Sequence, residues 1–145
     1  MKKQIFAAML ATLVFTGTVE ARDDELHLPV SNVMENDEYA SQLAGVKFYF
    51  GDQPHPAVAS RFGEWQSNKK TNAFNKSDQF ACDWAFLTAM KALRDRALSL
   101  GADAVINIRS NYKKRRFESQ TEYMCGAGKI MAGVTMRGEM VKLAK

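Results

Sequence analysis

Between Ser77 and Gly101 lies the segment DQFACDWAFLTAMKALRDRALSL, in which Cys82, Phe86, Ala89, Leu93, Ala97 and Leu100 recur at spacings of three and four. That spacing predicts one helix over about 78–100 with a single buried stripe. Ser77 can cap the unpaired N–H groups of its first turn, and Asp78 suits the positive end of the helix dipole. Gly101 supplies the stop, because glycine adopts the left-handed conformation that closes a helix. Lys91, Arg94 and Asp95 fall away from the stripe. A helix with one apolar face needs a second layer to cover it, and the flanking segments supply strands.

GVKFYF (45–50) is aromatic and bounded by glycines, as a strand is. GDQPHPAVAS follows as a loop with prolines on both sides of His55, and an irregular strand is expected around Phe62–Gln66. DAVINIRSNY (103–112) alternates, which pairs Val105 with Asn107 on one face and Ile106 with Ile108 on the other. After Lys113, Lys114, Arg115 and Arg116, further strand material runs to Leu143, with Gly126, Gly128, Gly133 and Gly138 marking bulges, bends or close backbone approach. The predicted fold class is α+β: one main helix on a small, mostly antiparallel sheet.

The N-terminus sets the context. Lys2 and Lys3 precede an apolar run, Ile5–Val14, and Val19 and Ala21 place small residues before a cut. This is the layout of a secretory signal peptide, and the run of roughly 12 residues falls short of the ~20 that span a bilayer. A buried N-terminal helix is the alternative, and the absence of a polar face counts against it. Residues 1–21 are therefore expected to be a leader, 22–43 a polar N-terminal segment that wraps the domain or stays mobile, and 44–145 a single domain. The protein is expected in the periplasm or secreted, with no transmembrane segment after cleavage near Ala21. The formal net charge of +4 is mildly basic, well short of a dedicated polyanion binder.

Cys82 and Cys125 are the two cysteines. In an oxidising compartment such a pair is expected to bond. The bond would close about 43 residues and stabilise by about 4 kcal/mol in the chain-entropy account. Two buried free thiols or a catalytic pair are the alternatives, and the chain has no C-x-x-C.

ALRDRALSLGADAVINIRSNY followed by GVTMRGEMVKL resembles the YbjQ-like superfamily of small α/β domains. TNAFNKSDQFACDWAFLTAMKALRDRA with CGAGKIMAGVTMRGEMVKL resembles exported proteobacterial proteins often labelled "excinuclease ATPase subunit", a likeness that covers about residues 44–143. A more distant similarity is to the Rcs envelope-stress sensor lipoprotein, whose lipid-bearing cysteine and second disulfide have no counterpart here. The superfamily has also been called heavy-metal-binding.

The residues test each chemistry these likenesses imply. A Walker A loop needs G-x-x-x-x-G-K-[ST], but Tyr123 replaces the first glycine and Ile130 the hydroxyl, so neither ATPase nor excinuclease is expected. Lys113–Arg116 between Tyr112 and Phe117 matches nucleic-acid binding only superficially, and nucleic acid is not expected as a partner. The cluster is either a solvated hairpin loop or a contact for an anionic envelope surface. A metal needs three or four converging ligands, and His55 with Asp52 offers only a weak start, with His27 distant in sequence. No activated nucleophile accompanies His55, and Glu118 and Glu122, which could do acid–base work, suit a solvated strand edge. The expected protein is a non-enzymatic exported domain without cofactor, acting through protein or envelope-surface contacts; its glycine-rich sheet edge and its methionine and aromatic content offer surface for association, a homo-oligomer among the options. The alternative is a small-ligand or metal-binding module built on the 51–56 loop.

Overall fold

The computed structural model describes residues 22–145. The predicted leader, residues 1–21, with its cleavage site lies outside them. The elements in chain order are β1 (Asp24–Pro29), α1 (Ser31–Met34), α2 (Asp37–Ser41), β2 (Lys47–Phe50), β3 (Val58–Asn72), α3 (Asp78–Leu100), β4 (Ala104–Tyr112), β5 (Arg115–Phe117), β6 (Glu122–Ala127) and β7 (Met131–Leu143). The fold is α+β, with α3 packed on a curled sheet of seven strands. Every strand pair is antiparallel except β2–β4.

Strand β7 is the spine. Along one edge it pairs with β3 from Met131↔Asn72 to Leu143↔Val58. Along the other it pairs first with β6 and then with β4. Helix α3 begins and ends as its sequence dictates. The Phe80 N–H donates to Ser77 Oγ at 3.1 Å, and Gly101 takes φ 77°. Its buried face is broader than one stripe, since Ala81, Ala85, Leu87 and Met90 join Cys82, Phe86, Ala89, Leu93 and Ala97, while Leu100 is half-buried. That face closes the main core over Val105, Ile108, Tyr123, Val134, Met136 and Met140.

Several expectations need correction. Residues 22–43 are built into the domain: β1 pairs with β6 from Asp24↔Ala127 to Pro29↔Glu122, and Val30, Val33 and Leu43 are buried. Only Leu26 and Leu28 alternate in that charged stretch, too few to announce a strand. The proline loop ends at Ala57, and β3 is a 15-residue strand where only an irregular segment was expected. It is an outer strand with most of its side chains exposed, so it lacks the apolar alternation that burial imposes.

In β4 the alternation breaks at Asn107. It sits at φ 51°, and the register against β7 shifts between Ile106 and Arg109. This bulge puts Val105 and Ile108 together in the core under α3, and sends Ile106 to a second cluster with Ala104, Val141 and Leu143. Across from it, a Cβ on Gly138 would overlap the Val105 side chain.

The glycines do not form an exposed edge. Gly126 and Gly133 are buried beneath the Tyr112 ring, which a Cβ on Gly126 would overlap, and Met90, Met124, Met136 and Met140 lie in the interior. These glycines and four methionines therefore serve packing, while Met131 is exposed.

Opposite-charge contacts link β3, β7 and β4. Arg109 and Arg137 face each other across β4 and β7, and Glu64 of β3 accepts from Arg109 Nη2 at 2.8 Å and Arg137 Nε at 2.9 Å. One carboxylate thus offsets two guanidiniums that would otherwise repel.

Two outcomes follow from this packing. Gly126→Ala is expected to lower unfolding free energy by about 1–3 kcal/mol, because the new methyl group must displace Tyr112. The loss should shrink in a Tyr112→Ala background, as a double-mutant cycle by urea denaturation will read. The Arg109 hydrogen bond, then that of Arg137, holds the Glu64 carboxyl below its ordinary value of 4.5. Its contribution to stability is present above that value and lost as pH falls through the lowered one. Glu64→Gln should therefore be less stable near neutrality and show a shallower acid limb in melting temperature against pH.

Candidate functional site

The basic run forms a hairpin tip. Lys113 and Lys114 are its two turn residues, at φ 49° and 63°, and Tyr112 pairs with Arg115 beneath them. Two positive φ values match the turn that joins twisted strands most tightly. The charge at this tip is largely answered within the chain. Lys113 pairs with Asp23, Arg115 with Glu25 at 2.7 Å, and Arg116 with Glu118 at 2.9 Å. Lys113 holds the Asp23 carboxyl below its ordinary range, chiefly by donating a hydrogen bond to it. His27 stacks on Phe117 with ring centroids 4.1 Å apart, and its Nε2 lies 3.3 Å from Glu25. The acidic residues of the N-terminal segment thus occupy the cations that made the cluster an anionic-surface candidate. Lys114 alone among the four has no ion pair among the described residues.

The 51–56 loop is similarly occupied. Gln120 Nε2 donates to Asp52 Oδ1 at 2.7 Å, and His55 Nδ1 donates to its neighbour, the Pro56 carbonyl, at 2.7 Å. His55 also packs edge-on against Tyr49. Among the described residues, no three His, Cys, Asp or Glu side chains gather as they must to hold a metal ion. An open cleft of about 490 Å³ lies near the loop, lined by Val46, Lys47, Asp103 and Leu143, and takes only Pro56 from it. The Gly126-x-Gly128-Lys129 stretch runs strand, turn, strand, whereas a phosphate-cradling loop opens a helix. Glu118 is taken by Arg116, and Glu122 lies opposite Pro29 on the β1–β6 ladder.

Cys82 on α3 and Cys125 on β6 lie at disulfide distance, with Cα atoms 5.9 Å apart. Both are fully buried, so the sulfurs are out of reach of a substrate. Next to them the Tyr123 hydroxyl donates to Asp83 at 2.6 Å, and its ring stacks on Phe86 at 4.1 Å. Burial, reinforced by that hydrogen bond, pushes the Tyr123 hydroxyl far above its ordinary value and keeps it a neutral donor. This knot of residues joins helix to sheet.

A different end of the molecule stands out. Of eight large apolar side chains exposed among the described residues, five belong to the segments that meet there: Phe74, Phe80, Trp84, Ile130 and Met131. The Ala73 N–H donates to the Ile130 carbonyl at 2.6 Å, and Met131 pairs with Asn72, which ties the β6–β7 turn to the end of β3. Phe80 and Trp84, one helical turn apart, line a cleft of about 340 Å³ with Thr71, Asn72, Lys76 and Ala81. Arg22 closes this end, donating to both Asp78 oxygens (2.7 and 3.2 Å) and to the Gly128 carbonyl at 3.1 Å. Sequence reasoning missed the surface because its members come from three segments. The usable signal was local: Phe80 and Trp84 lie off the predicted stripe at a spacing of four.

No family model, curated protein or solved structure matches the chain.

Tyr123→Phe removes the one hydroxyl that binds the buried Asp83 carboxyl. It should cost about 1.5–3 kcal/mol of unfolding free energy, read by urea denaturation under non-reducing conditions.

Proposed function

We propose that the chain is an exported, non-enzymatic contact domain of the cell envelope, and that its contact surface is the end carrying Phe74, Phe80, Trp84, Ile130 and Met131. The observation that carries this reading is their exposure: five large apolar groups crowd one end of a small domain, whereas scattered single ones would need no explanation. A buried cysteine pair at bonding distance supports an oxidising compartment. No helix among the described residues is long and apolar enough to cross a membrane. The leader-like residues 1–21 and the likeness of about 44–143 to exported proteobacterial proteins and the YbjQ-like superfamily support the same compartment. In this account the disulfide gives durability outside the cell, and docking is the activity.

The test is a photoreactive residue at Phe80 or Trp84, with Lys114 at the hairpin tip as control, irradiated in intact cells. The expected result is discrete adducts from positions 80 and 84 and none from 114. Adducts of equal yield at all three positions, or none at 80 and 84, would remove this end as the contact surface.

A further inference from the structure

We propose that this apolar end docks on an anionic phospholipid bilayer, an inference that rests on its being the contact surface. The charge around it points to that occupant. Exposed Lys76 lines the cleft with Phe80 and Trp84, half-exposed Lys69 lines a neighbouring cleft with Trp84, and exposed Lys129 adjoins Ile130; none of the three makes an ion pair among the described residues. Two carboxylates adjoin this end and both are taken: Asp78 by Arg22 Nη1 and Nη2, and Asp95, which shares a cleft with Lys69 and Trp84, by Arg94 at 3.0 Å. The hairpin tip differs: three of its four cations have carboxylate partners, whereas these lysines have none.

Aromatic and aliphatic tips ringed by lysines match the chemistry of a membrane interface. Such side chains sit at the boundary between headgroups and acyl chains, and lysine stems lie along the apolar surface while their ammonium groups reach phosphate. The shape agrees, because the residues protrude around a shallow cleft rather than enclosing a ligand. A second copy is a poor occupant. A two-fold contact through this end would set one ring of lysines against the other.

Vesicle co-sedimentation of the exported protein tests the proposal, with phosphatidylethanolamine–phosphatidylglycerol vesicles against pure phosphatidylcholine. The expected result is at least tenfold stronger partitioning onto the anionic vesicles, abolished by high salt. Phe80→Ser with Trp84→Ser should weaken it by tenfold or more. Glutamine at Lys69, Lys76 and Lys129 should erase the preference for anionic lipid, and Lys114→Gln should change nothing. Circular dichroism confirms that each variant is folded. The salt response and the quenching of Trp84 fluorescence by brominated lipid need no destabilising substitution. Absence of binding, binding indifferent to the three lysines, or loss only on Lys114→Gln would overturn the proposal. If vesicles do not bind while photoadducts at 80 and 84 form with a protein, the bilayer is the wrong partner and the contact surface stands. If neither forms, both fall.

Discussion

The attachment of α3 to β6 is the constraint on which the rest of the structure depends. Cys82 and Cys125 meet in the core, and one residue along the helix Asp83 accepts from Tyr123, two residues before Cys125 on its strand. The two links lie side by side and fix both the height and the rotation of the helix. Once Cys82, Asp83 and Phe86 face the sheet, Phe80 and Trp84 must face out, since they lie on the other side of the same turns. The exposed apolar end is thus a geometric consequence of how the core is pinned.

A second constraint comes from the sheet. Its strands curl around β7, and close contacts at Gly126, Gly133 and Gly138 admit Tyr112 and Val105 where any side chain would block them. The curl brings the β6–β7 turn beside the end of β3, which places Ile130 and Met131 against Ala73 and Asn72, next in the chain to Phe74. Electrostatics divide the surface accordingly. The N-terminal segment uses Asp23 and Glu25 to answer Lys113 and Arg115, leaving the lysines around the apolar end without a counter-charge.

What was legible in the sequence was whatever depends on neighbours along the chain. Ser77, the stripe of α3 and Gly101 each act within a few residues, so the helix could be read to its ends. The cysteine pair was legible through compartment chemistry. Three features were hidden because they depend on distant residues. The β1 strand exists through its pairing with β6, and its apolar content is two leucines. The length of β3 comes from β7, while its own exposed side chains carry no periodic signal. The bulge at Asn107 parts Ile106 from Ile108 and leaves only Ile108 beside Val105 in the core under the helix, and a regular alternation has no place for it. The contact surface was hidden for the same reason, and the basic run attracted attention only because it is contiguous. The pairing of Lys113 and Arg115 with Asp23 and Glu25, about ninety positions away, was invisible until the chain was folded.

Intact-mass analysis of the protein taken from its own envelope fraction, alkylated without and then with reductant, tests the central claim most directly. The account predicts a chain beginning at Arg22 that takes up no alkyl group until reduced, and then takes up two. Alkylation without reductant, or a retained N-terminal segment, would contradict it. Free thiols would unpin α3 and return Cys82 and Cys125 to the candidate reactive groups, and an intact leader would remove the case for export.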